Sequence, residues 1–535
     1  MTSQWQEISA KAKQKVLDDI PSEWRIPTDK VPGDDVLDVT GIPAQCGLLS
    51  QLDLEITESF ATEIVAKIAK GEWSAEAVTT AFCKRASIAH QLTNCLTVIM
   101  FDSAIARAKD LDIHFQKTGK VSGPLHGLPI SLKDNFNIPG FPSSVGFASW
   151  ATESMQQEST IVTTLRNLGA VAYVKTNVPT AMMIAESVNN VYGRTLNPQN
   201  RSMTSGGSSG GESALISMRG SPLGVGTDIG GSLRIPAACT GIFTIRPSYG
   251  RFPHFDARSG LSGQEAVASV NGPMARSVAD IRLWAESVVG TKPWLRDPKC
   301  VPGLEWRHNE DARGKVKIGV LWDNGMVQPT PPVKRALKET VEKLKAKGYE
   351  IIDWPATDHA EAMELLGRFF VSDGGKSIEK ILKPVDEPWR PEMKGYEDAG
   401  EIGVHELWQL QSRRTALCKR YLDRWEAAGL DAILGPTTPY ATTKNGEFRH
   451  VGYTGVFNIL DYSSTSFPCG VTVDKEKDLL EPGIQIHDEL DAQTQREYDA
   501  EVAHGMPVSL QLTGRRLEEE KMLALTERVV EDLKG

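Results

Sequence analysis

Several long segments of the chain place apolar residues every three or four positions, the spacing that buries one face of an α-helix. Residues 74–92, "SAEAVTTAFCKRASIAHQL", open on a serine suited to cap a helix and continue with that spacing. The pattern returns from Ser103 onward, from Pro331 to a glycine stop at Gly348, and near Glu518. These segments predict amphipathic helices along the chain.

Short apolar runs lie between the helical segments and predict β-strands. Six of the runs fall at residues 128–134, 171–174, 223–225, 315–323, 430–439 and 506–514, and a further strand is expected directly after Gly348. Strands that alternate with helices predict an α/β fold with a central mixed β-sheet and helices on both faces. Because no clean linker interrupts the pattern, we expect one large domain over residues 56–535. Residues 1–55, rich in Pro, Gly and Asp, are expected to form an extension packed on it.

Composition narrows the class of protein. Of 535 residues, 59 are Lys or Arg and 69 are Asp or Glu, a net charge of −10 that disfavours nucleic acid or an anionic membrane as the main partner. The seven cysteines form no CxxC pair and the ten histidines no HExxH motif, so neither a disulfide scaffold nor a zinc site is expected. With no secretory signal and no apolar run of about 18 residues, we expect a cytoplasmic protein.

Lys133 ends an apolar strand-like run, "LPISLKD". A lysine at a strand end usually lies in solvent. Burial among apolar neighbours would instead disfavour the charged ammonium, so that the amine could act as a base near neutral pH.

A glycine- and serine-rich run, "GGSSGGES", occupies residues 206–213. A linker is disfavoured because the run is short and leads directly into a helical segment. A P-loop is excluded because no GK[ST] follows. The spacing Gly206-x-Ser208-x-Gly210 matches a nucleophile elbow only weakly, since "NPQNRSMTS" before it is not a convincing strand. What remains is a glycine-rich turn that presents hydroxyls and N–H groups before a helix.

A second glycine turn, Ile229-Gly230-Gly231-Ser232, precedes "SLRIPAACTG". Its glycines allow successive N–H groups to point into one concavity, and such donors stabilise the oxyanion that forms when a carbonyl is attacked. Ser232 is therefore the better candidate nucleophile. A phosphate-binding loop or a merely tightly packed loop would show the same pattern.

Together these segments resemble the amidase signature family, serine hydrolases with a Ser-cisSer-Lys triad. The likeness is carried by "GPLHGLPISLKD", "GGSSGGES", "GTDIGGSLRIPAACTGIFTIRPS" and "GMPVSLQLTGRR", and by spacings of 75 residues from Lys133 to Ser208 and 24 from Ser208 to Ser232. Further segments, among them "IPSEWRIP" and "FRHVGYTGVFNILDYSS", extend a likeness to fungal acetamidases over nearly the whole chain. Ser213 departs from the family, where a glycine is common.

The resemblance implies roles for the triad. Ser232 would be the acyl-accepting nucleophile and Lys133, neutral at the start of the cycle, the base. Ser208 would relay a proton between them, with its peptide bond to Gly207 in the cis form.

The resemblance also implies roles for neighbours of the triad. The N–H groups of Ile229, Gly230, Gly231 and Ser232 would form the oxyanion hole. Asp228 and Arg234 would hold this turn, and Ser209 would orient Lys133 or the loop. Turn capping and a surface ion pair are the simpler interpretation of these last three residues.

Substrate contacts are less sharply indicated. Met182 and Met183 match a family stretch that borders the acyl site, although adjacent methionines also fill gaps in cores. Tyr453, Phe457 and Leu460 are expected to wall the pocket from the C-terminal side.

The activity implied is hydrolysis of a carboxamide to carboxylate and ammonia through an acyl-enzyme, with small aliphatic amides as substrates and no cofactor or metal. Aryl amides, fatty amides, carbamates and esters share this triad and stay open as alternatives. So do a tRNA-dependent amidotransferase subunit and a catalytically silent binding protein. A homodimer and a neutral to alkaline pH optimum are further expectations.

Overall fold

The computed structural model describes residues 3–308, 314–480 and 483–534. The α-helices within these residues are Gln4–Asp18 (α1), Ile42–Gln45 (α2), Gln51–Glu58 (α3), Ala61–Ala69 (α4), Ala75–Thr93 (α5), Phe101–Thr118 (α6), Thr160–Asn167 (α7), Gly210–Ser217 (α8), Arg234–Thr240 (α9), Val278–Gly290 (α10), Pro331–Ala346 (α11), His359–Phe370 (α12), Lys376–Leu382 (α13), Lys394–Glu397 (α14), Val404–Ala428 (α15), Gly452–Leu460 (α16), Glu489–Glu497 (α17) and Glu519–Lys534 (α18).

The strands of the same residues are Leu96–Ile99 (β1), Pro129–Lys133 (β2), Val171–Thr176 (β3), Val188–Asn189 (β4), Gly193–Arg194 (β5), Leu196–Asn197 (β6), Asn200–Thr204 (β7), Leu223–Asp228 (β8), Phe243–Arg246 (β9), Val270–Ala275 (β10), Lys317–Val320 (β11), Glu350–Asp353 (β12), Ala432–Pro436 (β13), Ser464–Thr472 (β14) and Pro507–Thr513 (β15). Eleven of them form one sheet in the order β1-β3-β2-β8-β10-β9-β14-β15-β13-β11-β12.

The sheet is mixed. Strand β2 runs parallel to β3 and to β8, and β11 runs parallel to β12 and β13, whereas the other pairs are antiparallel. Helices flank both faces, with α5, α6 and α10 in one apolar core and α11 and α18 in another. This confirms the predicted α/β fold with a central mixed sheet. Within the described residues, no helix combines the length and the apolar character that crossing a bilayer requires.

Most predicted elements are confirmed. The helix after Ser74 runs through α5, and the serine side chain accepts a hydrogen bond from the Ala77 N–H, as a cap does. Each of the six apolar runs contains a strand of the main sheet, and the strand expected after Gly348 is β12. The pattern missed β1, β9, β10 and β14.

One interpretation was wrong. The segment before the glycine- and serine-rich run does contain a strand, β7, which pairs with β6 as a small hairpin outside the main sheet. Strand β7 consists mostly of polar residues and lacks the alternation of apolar and polar positions that predicts a strand, so the sequence pattern missed it. A nucleophile elbow needs a strand of the central sheet, so that interpretation of the run stays excluded.

The N-terminal segment is tied to the body by hydrogen bonds. The Ile26 N–H donates to Gln91, and the Val39 N–H donates to the Pro198 carbonyl at 2.9 Å each. The predicted boundary at residue 55 lies within helix α3. The division into an extension and a main domain stays a prediction.

Candidate active site

Lys133 lies at the carboxyl end of β2 in the interior of the sheet, with none of its surface exposed. Its Nζ donates to Ser208 Oγ and to Thr227 Oγ1, both at 2.7 Å, and weakly to the Thr227 carbonyl at 3.4 Å. Burial lowers the pKa of Lys133 to about 7, although the nearby carboxylates of Asp228 and Glu212 oppose this shift. A lysine that loses its proton near neutral pH is suited to accept one from a hydroxyl.

Ser208 lies between hairpin strand β7 and helix α8, and the peptide bond between Gly207 and Ser208 is cis, as the family resemblance implied. The backbone is tightly enclosed here: a Cβ on Gly207 would lie 2.7 Å from the Glu186 nitrogen. The Ser208 side chain is almost wholly buried. The fold thus holds the Ser208 hydroxyl in an enclosed position where it accepts from Lys133.

Ser232 lies in the turn between β8 and α9, and it is partly exposed. The Ser209 N–H donates to the Ser232 carbonyl at 3.2 Å, which ties the two glycine-rich turns together next to Ser208. The structure therefore brings Lys133, Ser208 and Ser232 into one site from segments far apart in the chain.

Asp228 organises the Ser232 turn. Its carboxylate accepts from the Gly231 N–H at 2.8 Å and the Leu233 N–H at 3.2 Å, and it is paired with Arg234 at 3.1 Å. Asn458 adds a donor to the same carboxylate at 2.8 Å. Burial alone would raise the pKa of Asp228, but the charge and hydrogen bonds of Arg234 outweigh it and lower the pKa to about 2. Both residues are fully buried, so they form a structural hub rather than a surface ion pair.

The turn leaves three N–H groups available. Among the described residues, the N–H groups of Ile229, Gly230 and Ser232 donate to no protein atom. Gly231 differs from the expectation, because its N–H is already engaged by Asp228. Glycine is required there for another reason: its φ is +134°, and a Cβ at this position would lie 2.2 Å from Thr454 Oγ1. Unpaired N–H groups in one turn are the kind of donors that can stabilise an oxyanion.

Ser209 does not contact Lys133. Its hydroxyl instead engages the Thr227 backbone, accepting from the N–H at 3.3 Å. Within the described residues, the hydrogen bonds that link Ser209 to Lys133 run through Thr227. Thr227 was missed by the sequence analysis.

Thr454 of α16 was also missed. Its hydroxyl donates to the Gly230 carbonyl at 2.7 Å, and its own carbonyl accepts from Arg234 at 3.1 Å. Tyr453 is buried with its hydroxyl on the Val327 carbonyl, and Phe457 packs in the core beside it. Helix α16 therefore reaches the turn through Thr454, and the Asp228–Arg234 hub through Asn458.

The remaining predicted pocket residues make no hydrogen bond to the turn within the described residues. Met182 and Met183 are half-buried and pack on an apolar cluster that contains Phe147 and Leu261, so their contact with substrate stays a prediction. Leu460 is buried and lines a separate cavity.

A buried carboxyl, Glu212 of α8, lies beside the lysine. It accepts from Ser131 Oγ at 2.5 Å and from Thr176 Oγ1 at 2.8 Å, side chains of the two adjacent strands β2 and β3. Burial raises the pKa of Glu212 to about 7, against the opposing effects of these two hydroxyls and of Lys133. Lys133 thus has a second titratable group close by.

Comparison with known proteins places this site in a family. A family model described as Amidase matches residues 77–523. The acetamidase of Emericella nidulans is 40% identical over 544 aligned residues, covering 99% of this chain and 98% of that protein. The acetamidase of Aspergillus oryzae is 38% identical over 543 residues, with 99% and 98% covered. A solved structure of a fatty acid amide hydrolase matches with a TM-score of 0.95 at 34% identity, covering 99% of this chain and 95% of that one. These matches show that the chain belongs to the amidase signature family and is an amidase, a hydrolase of carboxamide bonds.

Proposed function

We propose that this amidase forms an acyl-enzyme on Ser232, with Ser208 and Lys133 as its proton relay, and that it acts on small aliphatic amides. The observation that carries the relay is the 2.7 Å contact between Lys133 Nζ and Ser208 Oγ in a fully buried site. The Ser209–Ser232 backbone hydrogen bond supports placing the nucleophile beside this pair.

In the proposed first step, neutral Lys133 accepts a proton from Ser208 as Ser208 accepts one from Ser232. The Ser232 oxygen attacks the amide carbon, and the N–H groups of Ile229, Gly230 and Ser232 stabilise the oxyanion. The proton returns through Ser208 to the amide nitrogen, the C–N bond breaks and ammonia leaves. Water then attacks the acyl-enzyme by the same relay, releasing the carboxylate and restoring Ser232.

The proposed base, Lys133, has a carboxyl neighbour in Glu212 that influences its pKa. The Glu212 carboxylate attracts the ammonium and so raises the pKa of Lys133. In the Glu212→Gln variant, Lys133 should therefore lose its proton at a lower pH. The acid limb of the kcat/KM–pH profile is therefore expected to move to lower pH in this variant. Glu426→Gln, on the surface beside Arg515, is the control and should leave the limb in place. An unmoved limb, or one moved to higher pH, in Glu212→Gln would contradict the coupling.

The proposed oxyanion turn depends on Gly231. In Gly231→Ala, the new Cβ would meet Thr454 Oγ1 at 2.2 Å, so the turn must shift. We expect kcat/KM to fall about 10²-fold, the cost of misplacing reacting groups by roughly 1 Å. Gly470→Ala, at a φ of +81° but with nothing within 4 Å of its Cβ, controls for the backbone conformation and should keep full activity. Equal activities in the two variants would remove Gly231 from the site.

Small aliphatic amides are proposed from the full-length likeness to two acetamidases. The Phe370 ring, 3.6 Å from the position of a Cβ on Gly230, supports a restricted pocket beside the turn. A second candidate is longer acyl amides. The 0.95 TM-score to a fatty acid amide hydrolase favours it, as does a cavity of about 440 Å³ bordered by the same Phe370 ring.

Ammonia release from a matched panel separates the two candidates. Acetamide, propionamide, benzamide and a long-chain fatty amide would be compared by kcat/KM. The proposal expects acetamide or propionamide to be the best substrate. A clear preference for the long-chain amide would overturn the substrate assignment while leaving the amidase assignment intact.

A further inference from the structure

A cavity of about 620 Å³ lies apart from the triad, between the end of β9, helices α15 and α16, and the segment before α18. Polar and charged side chains dominate its wall. They include Arg246, Tyr249, Arg414, Asn458, Asp461 and Arg516.

Arg246 is the deepest of the three arginines, with 1% of its side chain exposed. It donates to the Tyr462 carbonyl at 2.8 Å and to Asp461 at 2.9 Å. Its Nε is buried without a hydrogen-bond partner among the described residues. Arg246 also lines the cavity, so its guanidinium would attract an anion bound there.

Arg414 and Arg516 add donors nearer the opening. Arg414 uses only its Nε, which donates to the Ile459 carbonyl at 2.9 Å, and its terminal nitrogens meet no acceptor within the described residues. Arg516 is half exposed and shares the Asp461 carboxylate with Arg246. The three guanidinium groups thus converge on one space from three separate segments.

The charges in the wall do not cancel. Asp461 alone faces Arg246 and Arg516, and the other carboxylate of the wall, Glu265, lies 3.3 Å from Lys299. Burial raises the pKa of the Tyr249 phenol, which stays neutral near pH 7. Burial likewise raises the pKa of the Cys418 thiol in the same wall. The cavity therefore carries a net positive charge at neutral pH.

We propose that this cavity is a binding site for a small organic oxyanion, whose carboxylate or phosphate group lies against Arg246 and Arg414. Guanidinium groups match the planar or tetrahedral oxygens of such groups and bind them through charge-assisted hydrogen bonds. The volume leaves room for an organic portion beyond the anionic group.

The site lies next to the catalytic turn without including it. Asn458 lines the cavity and also bonds to Asp228 and Arg234, the hub of the Ser232 turn. Ser232 itself takes no part in the cavity wall. Binding should therefore persist in Ser232→Ala, which separates this proposal from the proposed function.

Isothermal titration calorimetry at constant ionic strength tests the proposal, with inorganic phosphate and succinate as separate probes. The matched pair of variants is Arg414→Gln and Arg413→Gln on the same helix. Arg413 faces outward and bonds Glu364. At least one probe is expected to bind the wild-type protein. Arg414→Gln should weaken its affinity roughly tenfold or more, and Arg413→Gln should leave the affinity unchanged. Tighter binding of phosphate or of succinate identifies the preferred anionic group.

A second measurement uses the wild-type protein. Cys418 lines the cavity and is partly exposed, whereas the other described cysteines are buried. The bound anion should slow the alkylation of Cys418 by a maleimide, a reaction measured by peptide mass spectrometry. Potassium chloride at equal ionic strength is the control and should leave the alkylation rate unchanged. Absence of saturable binding by both probes, equal weakening in the two arginine variants, or unprotected Cys418 would each overturn the site.

Discussion

Replacing Lys133 by methionine is expected to lower kcat/KM for amide hydrolysis by about 10²–10⁴-fold, the usual contribution of a positioned acid–base group. Methionine keeps most of the buried volume but cannot accept the Ser208 proton. Ammonia release under first-order conditions measures the loss.

The pH dependence ties the effect to the lysine. Below about pH 7 the Lys133 amine is protonated and cannot act as a base, so wild-type kcat/KM should fall as the pH decreases through about 7 and level off above it. In Lys133→Met this acid limb should disappear from the residual activity. A wild-type rate that instead rises with acidity would contradict the assigned base.

The chain offers a control in a second fully buried lysine, Lys175 of β3. Its Nζ donates to Ser143 Oγ at 2.8 Å and lies 4.0 Å from Asp134, without contact to Ser208. A folded Lys175→Met protein should retain the acid limb near pH 7. Loss of the limb in both variants would show that burial of any lysine, rather than the contact to Ser208, controls the profile.

The Ser232→Ala variant is expected to lose at least about 10⁴-fold in kcat for amide hydrolysis, since removal of a triad nucleophile leaves only binding and oxyanion stabilisation. The side chain is partly exposed and makes no hydrogen bond within the described residues, so the variant should keep the wild-type melting temperature. Ammonia release and a thermal melt measure the two quantities.

Ser209→Ala serves as the matched control in the neighbouring turn. Within the described residues the Ser209 hydroxyl hydrogen-bonds only to the Thr227 backbone, so the variant should lose far less activity than Ser232→Ala. Substantial hydrolysis by Ser232→Ala, or a loss of equal size in Ser209→Ala, would move the nucleophile to another residue.

The sequence predicted the parts of this fold whose signals are local. Helix α5 shows both a capping serine and apolar spacing, and β2 shows a dense apolar run. Both elements are largely buried, and burial requires apolar side chains along their length. Hairpin strand β7, with polar side chains, carried no such signal.

The site was predictable where it has motifs. The two glycine turns and the lysine strand were identified in the sequence, and the family resemblance distinguished Ser208 from Ser209, which spacing alone could not. Thr227 was not predictable, since its contact with Lys133 joins positions 94 residues apart through the register of β2 and β8. Thr454 lies 224 residues from Gly230, and its hydroxyl bond depends on how α16 docks.

The central claim is that Ser232 is the residue that becomes acylated. A fluorophosphonate probe reacts covalently with the activated serine of such hydrolases, and peptide mass spectrometry locates the adduct. We predict one adduct per chain, on the peptide that carries Ser232, with labelling abolished in Ser232→Ala. An adduct on Ser208 or Ser209, or unchanged labelling of that variant, would contradict it.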